Sequence, residues 1–218
     1  MFGDKKKSGE QRAEAVICFL SLLIAALLTG MVTWKINVSA QMQMQQHLAE
    51  EVLRFHVLAN SDSEEDQRLK LKVRDAVLEQ MKNTLPEGLD VEETKEWARM
   101  HTDILRKTAE DIVTDNGYAY PVSAAVTTSY FPEKTYGDVT FPPGNYTALR
   151  IEIGAAKGQN WWCVLYPNLC FMDAVHAVVP EEGKKQLEEV LTEEEYHQVI
   201  SDGTFEIRWK AADFFKSL

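Results

Sequence analysis

Apolar residues run uninterrupted by charge from Ala15 to Trp34, and no later stretch of the chain repeats that length. As a helix these 20 residues reach roughly 30 Å at about 1.5 Å per residue, the thickness of a bilayer core. Lys5, Lys6, Lys7 and Arg12 precede the run and only Lys35 follows it closely, a bias that places the N-terminus in the cytoplasm and the rest outside. Val38, Ser39 and Ala40 supply the small residues of a cleavage site, although the run exceeds the usual signal core of about 7 to 15 residues. Anchor and signal segment both stay open, and both export the C-terminal remainder of the chain. The pattern divides the chain into a basic n-region at 1–14, a membrane-spanning or signal segment at 15–34, a linker or stalk at 35–52 and an extracytoplasmic domain at 53–218.

Inside that domain the period of the pattern shifts. Residues 53–59 fit a strand, after which Ser61 or Ser63 can cap a helix reaching about Asn83, with Glu64 completing a capping box three residues after Ser61. At about 100° per residue, Leu69, Val73, Ala76, Val77 and Met81 share one face of it. Leu71 and Leu78 fall on the far side and predict a helix nearly sandwiched by protein. A second helix is expected over 91–114, with Trp97, Met100, Ile104 and Ile112 turned inward and Asn116 and Gly117 as a left-handed end. Residues 122–131, 147–153 and 161–166 are β-branched or aromatic runs bounded by Pro and Gly, hence strands. Residues 183–191 and 193–200 read as helices joined by a Thr192–Glu195 capping box, 205–210 as a last strand and 211–218 as a terminal helical turn. This order predicts one mixed α/β domain of the α+β class.

Composition narrows the chemistry. The net charge is −11, and the first 40 residues hold most of the clustered cations, so the exported part is more acidic still. Such a surface argues against nucleic acid, which needs clustered Lys and Arg against phosphate, and against adhesion to anionic lipid. The polar run Asn60, Ser61, Asp62, Ser63, Glu64, Glu65 and Asp66 lacks the central Gly and terminal Glu of a calcium loop and reads as a solvated helix start. His47, His56, His101, His176 and His197 show no metal spacing, GxSxG is absent, and GAAKG at 154–158 lacks the Lys and Ser or Thr of a phosphate loop. No catalytic residue, metal or cofactor is assigned.

Four features remain. Lys70 and Arg74 project between two apolar stripes and need partners, expected among Asp62, Asp66 and Asp103; the alternative is a groove for a partner's carboxylate or C-terminus. Trp161 and Trp162 are adjacent and must point to opposite faces of a strand, leaving one as a possible interface anchor. Cys163 and Cys170 form either a short-loop disulfide or a pair of buried thiols, with a catalytic Cys163–His176 pair as a third option. His56 lies near Asn60 and Asp62 and stays a candidate for the same surface.

Two segments, RFHVLANSDSEEDQRLKLKVRDAVLEQ at 54–80 and GQNWWCVLYPNLCF at 158–171, with NGYAYPVSAAV and YFPEKTYGDVTFPPGNYTALRIEIG between them, closely resemble the stage II sporulation protein R family of endospore-forming bacteria. The resemblance spans nearly all of the exported domain; the helices from Gly183 onward are less distinctive. It implies a non-enzymatic signalling protein, made in the forespore and exported to the space between forespore and mother cell. There it activates a membrane-embedded aspartic protease that processes the precursor of sigma-E. The expected contact surface comprises Arg54, His56, Asn60, Asp62, Asp66, Lys70, Arg74, Trp161 and Trp162. The competing classes are an exported cell-wall hydrolase and a wall-binding module.

Overall fold

The computed structural model describes residues 3–170, 179 and 181–200. The expected strand at 205–210, the turn at 211–218 and His176 lie outside them. The chain divides into an N-terminal unit up to Met44 and a second unit beginning at Gln45.

Helix α1 (Gly3–Glu50) carries the apolar run. From Val16 onward it is long and apolar enough to cross a membrane, and Val16, Ile17, Phe19, Leu22, Leu27 and Trp34 expose their side chains. The residues expected to form a linker are helical as far as Glu50, and Leu48 is fully buried. Lys95 explains how this helix ends: its buried ammonium donates to the Glu50 carbonyl at 2.6 Å and to Glu92 at 2.7 Å, placing a cation on the negative C-terminal end.

The second unit is α+β. Strands β1 (Leu53–Leu58), β2 (Val122–Phe131), β5 (Gly144–Ile153) and β6 (Asn160–Tyr166) form a sheet in the order β2-β5-β1-β6, and a small hairpin pairs β3 (Lys134–Tyr136) with β4 (Val139–Phe141). β1 runs parallel to β5 and antiparallel to β6. Being central, it is buried on both faces along its whole length. Phe55 and Val57, with Leu149, Ile151, Ile153 and Leu165, face a core completed by α2 (Glu64–Thr84), α3 (Val91–Met100) and α4 (Thr102–Asp115). The opposite face supplies Tyr146, Ala148, Val164 and Phe131 to a second core with Leu48, the hairpin, α5 (Glu181–Val190) and α6 (Glu193–Ile200).

Several expectations change. Helix α2 is capped by Ser63, whose side chain accepts from the Asp66 amide, while Ser61 is freed for another task. Its second apolar side does not exist as such, because Leu71 is exposed and only Leu78 reaches the core. The single helix at 91–114 is two, broken at His101, whose ring stacks on Trp97 with centroids 4.3 Å apart. The break turns Met100 and Ile104 into solvent. An Asp90–Glu93 capping box starts α3, and Gly117, with φ +81°, closes α4 in the left-handed region that glycine tolerates. The Thr192–Glu195 box at α6 forms as expected.

Candidate functional site

The signature residues meet at the end of β1. There the chain leaves the sheet through Ala59 and Asn60, and the turn between β5 and β6 folds back over it. Gly158 donates its amide to the Ala59 carbonyl at 2.9 Å and Lys157 to the Asn60 carbonyl at 3.3 Å. The Asn60 side chain accepts from the Ala155 amide at 2.9 Å, and Asp62 accepts from the Gln159 amide at 2.7 Å. Beneath them the buried Asp66 carboxylate accepts from Asn60 Nδ2 at 2.8 Å and Ser61 Oγ at 2.5 Å. Burial alone pushes the Asp66 carboxyl up, but hydrogen bonds from Ser61, Asn60 and Tyr120 more than offset it and hold the group below the usual range.

Lys70 closes the same clasp. It is buried and donates to the Gln159 carbonyl at 2.9 Å and to Gln67 Oε1 at 2.5 Å. Burial lowers its pKa. Its direct partners are carbonyl oxygens, and none of the expected carboxylates; Asp103 pairs with Arg106 instead. Asn60, Asp62, Asp66 and Lys70 therefore hold two loops together, Asn60 bonding Asp66 and the turn while Lys70 and the exposed Asp62 bond the Gln159 backbone.

The clasp leaves no room at Gly158, where an added Cβ would stand 2.1 Å from the backbone oxygen of Ser61. Gly158→Ala is expected to cost about 2–4 kcal/mol in urea unfolding. Gly144→Ala should cost less than about 1 kcal/mol, since its new Cβ meets only the movable Gln45 side chain.

By fixing the start of β6, the clasp also fixes the two tryptophans on opposite faces. Trp161 packs edge-on against Phe55 at 5.6 Å, and the Arg74 guanidinium covers it at 5.0 Å. Arg74 also pairs with its neighbour Asp75 at 2.6 Å. Trp162 stacks on His56 at 5.0 Å and meets Phe131 at 4.6 Å. Both tryptophans are half-buried.

Two residues expected at the surface are not there. Arg54 is fully buried. Its guanidinium donates to the Cys163 carbonyl and the Tyr136 hydroxyl, both at 3.0 Å, and lies within 4.4–5.8 Å of the rings of Phe131, Phe141, Tyr146 and Tyr136. Aromatic faces here take the place of a carboxylate. His56 is 3% exposed; burial first, then Arg150 and Arg54, push its pKa down to about 4. Cys163 and Cys170 are free thiols, not a bridge, and burial raises the Cys170 pKa well above the ordinary thiol value.

Sequence reasoning missed Arg150. The alternation through TALRIEI in β5 places it on the face opposite Leu149 and Ile151, directly across from His56, and a lone cation in an apolar strand was the signal available.

Residues 49–176 match the family model described as stage II sporulation protein R. The chain is 32% identical over 185 residues to the stage II sporulation protein R of Bacillus subtilis (strain 168), covering 81% of each protein. No solved structure matches it.

Proposed function

The chain belongs to the stage II sporulation protein R family, and from that premise we propose that it is an exported sporulation signal whose folded unit works by binding another protein. The partner is the extracytoplasmic part of the membrane aspartic protease that processes the precursor of sigma-E, and the place of action is the space between forespore and mother cell. The N-terminal apolar helix serves as signal segment or anchor for export.

One observation carries the reading: the clasp at the end of β1 immobilises two adjacent tryptophans, each half-buried and each on a different face. Pre-ordered aromatic anchors lose little entropy on binding and are enriched among residues that dominate interface energies. Arg74, which covers Trp161, and Trp162, across His56 from Arg150, border the surface. Lys70 and Asp66 are interior supports, so a reversal at Lys70 reports on folding and not on contact.

The test measures binding of the purified full chain to the protease's extracytoplasmic part, together with sigma-E precursor processing in sporulating cells. Trp161→Ala and Trp162→Ala are each expected to weaken binding by about thirtyfold, the mark of an interface anchor, with export intact and melting still cooperative. Wild-type binding and processing by both folded variants would sink the proposal.

A further inference from the structure

Six buried side-chain atoms among the described residues have no hydrogen-bond partner: Arg54 Nη1, His56 Nδ1 and Nε2, Ser129 Oγ, Arg150 Nε and Asn160 Oδ1. All belong to one face of the sheet. The register sets His56 opposite both Arg150 and Trp162, Asn160 opposite Leu58, Ser129 opposite Tyr146, and Arg54 opposite Ala148. Buried polar atoms are paired in the great majority of cases, and an orphan is costly; five residues concentrating their orphans on one face is a pattern that asks for a ligand.

The chemistry of that ligand is set by the groups around it. Two guanidinium groups, Arg54 and Arg150, flank a neutral imidazole. The nearby carboxylate, Glu152, is engaged by Arg150 and by Ser123. In a chain of net charge −11 this is a local excess of cations among the described residues, with N–H donors left over. One end of the face is closed over Arg54 by the Phe131, Phe141 and Tyr146 rings. Among the described residues nothing closes the other end, where Ser123 and Ala125 are exposed and Arg150, Glu152 and Trp162 half-buried.

We propose that this face is an oxyanion receptor in which Arg150 Nε and the His56 imidazole, backed by the Arg54 charge, take a carboxylate presented by the protein partner at the open end. The assignment rests on the binding role proposed above and adds the chemistry of the partner group. It also couples binding to the charge state of His56. Arg54 on the same strand and Arg150 on β5 keep His56 neutral; Glu152 on β5 is spent on Arg150, and Tyr146 and Tyr136 stay uncharged because burial raises their pKa values. An arriving carboxylate supplies negative charge that favours the imidazolium and so raises the His56 pKa, and a ring N–H donates to it.

The experiment follows the His56 ring by nitrogen-15 NMR in the full chain, held in a non-ionic detergent, while sodium acetate replaces sodium chloride at constant ionic strength. Saturable shifts and a rise of the His56 pKa by about one unit or more are expected. Arg150→Gln should abolish both, and Glu152→Gln, which releases Arg150, should tighten acetate binding several-fold. Inorganic phosphate is the comparison: preference for phosphate over acetate would overturn the carboxylate assignment. Absence of any acetate-specific shift in the wild type and in Glu152→Gln would overturn the receptor outright, the orphan atoms then being hydrated. Neither result bears on the tryptophan test, so the two proposals fail separately. In cells, Arg150→Gln is expected to lose precursor processing while remaining folded and exported; full processing would overturn the claim that the carboxylate is the partner's.

Discussion

Unfolding free energy should fall by roughly 3 kcal/mol as pH drops from 7 to 4, and His56→Phe should remove most of that fall. His56 is neutral in the native state because its pKa is lowered from the ordinary 6.5 to about 4, by burial first and then by Arg150 and Arg54. In the unfolded chain it titrates near 6.5. Between these values the unfolded state binds a proton that the folded state does not, so stability rises with pH across the window. The full contribution is present above the unfolded value and is lost by the time pH reaches the folded one. Phenylalanine keeps the stacking on Trp162 and Phe131 and has no nitrogen to leave unpaired. Asp66 and Asp138, whose pKa values are lowered by their hydrogen bonds, lose their share only below the ordinary carboxylate range, so the windows separate. Urea unfolding of the full chain in non-ionic detergent, followed by tryptophan fluorescence at pH 7, 5.5 and 4, measures the slope. An equal acid loss in His56→Phe would show that another group carries it.

Arg54→Ala is expected to be the most damaging single change in the folded unit, at about 3–5 kcal/mol. It empties a space walled by Phe131, Phe141, Tyr146 and Tyr136, and it strips the Cys163 carbonyl and the Tyr136 hydroxyl of their donor. Arg54→Met separates volume from charge. Among the described residues no carboxylate pairs with Arg54, so methionine orphans no opposite charge there; it refills most of the space, and the remaining cost should be about 1–3 kcal/mol from lost hydrogen bonds. Urea unfolding of both variants at pH 7 tests the order. If methionine is as damaging as alanine, the cation over the rings outweighs the packing.

Two local sequence patterns misled for the same reason. Trp97, Met100, Ile104 and Ile112 satisfy one helical stripe on paper, yet His101 ends one helix and begins another, and a stripe drawn across a break no longer points one way. Leu71 and Leu78 suggested a second covered side on α2, but whether anything packs there depends on elements distant in sequence, and Leu71 is exposed. The hairpin of β3 and β4 was too short to register against its Pro- and Gly-rich surroundings.

The sequence by itself determined what is local or periodic. Uncharged length set the membrane-competent helix, the apolar pattern at 53–59 set β1, β-branched and aromatic runs bounded by Pro and Gly set β2, β5 and β6, and the Thr192–Glu195 box set the start of α6, because each depends on neighbours within a few positions. The motifs at 54–80 and 158–171 also sufficed to place the chain in its family. Only the tertiary structure decided what those motifs are for. Asn60, Asp62, Asp66 and Lys70 look like a polar contact surface when read in line, but the return of the 154–159 turn over β1 consumes them in a clasp. Arg54 and His56 look exposed because they are polar, yet a central strand is buried on both faces and carries them inward. Arg150 sits 94 residues beyond His56 in the chain and beside it in the sheet, a juxtaposition created by the parallel pairing of β1 with β5 and invisible to any local pattern.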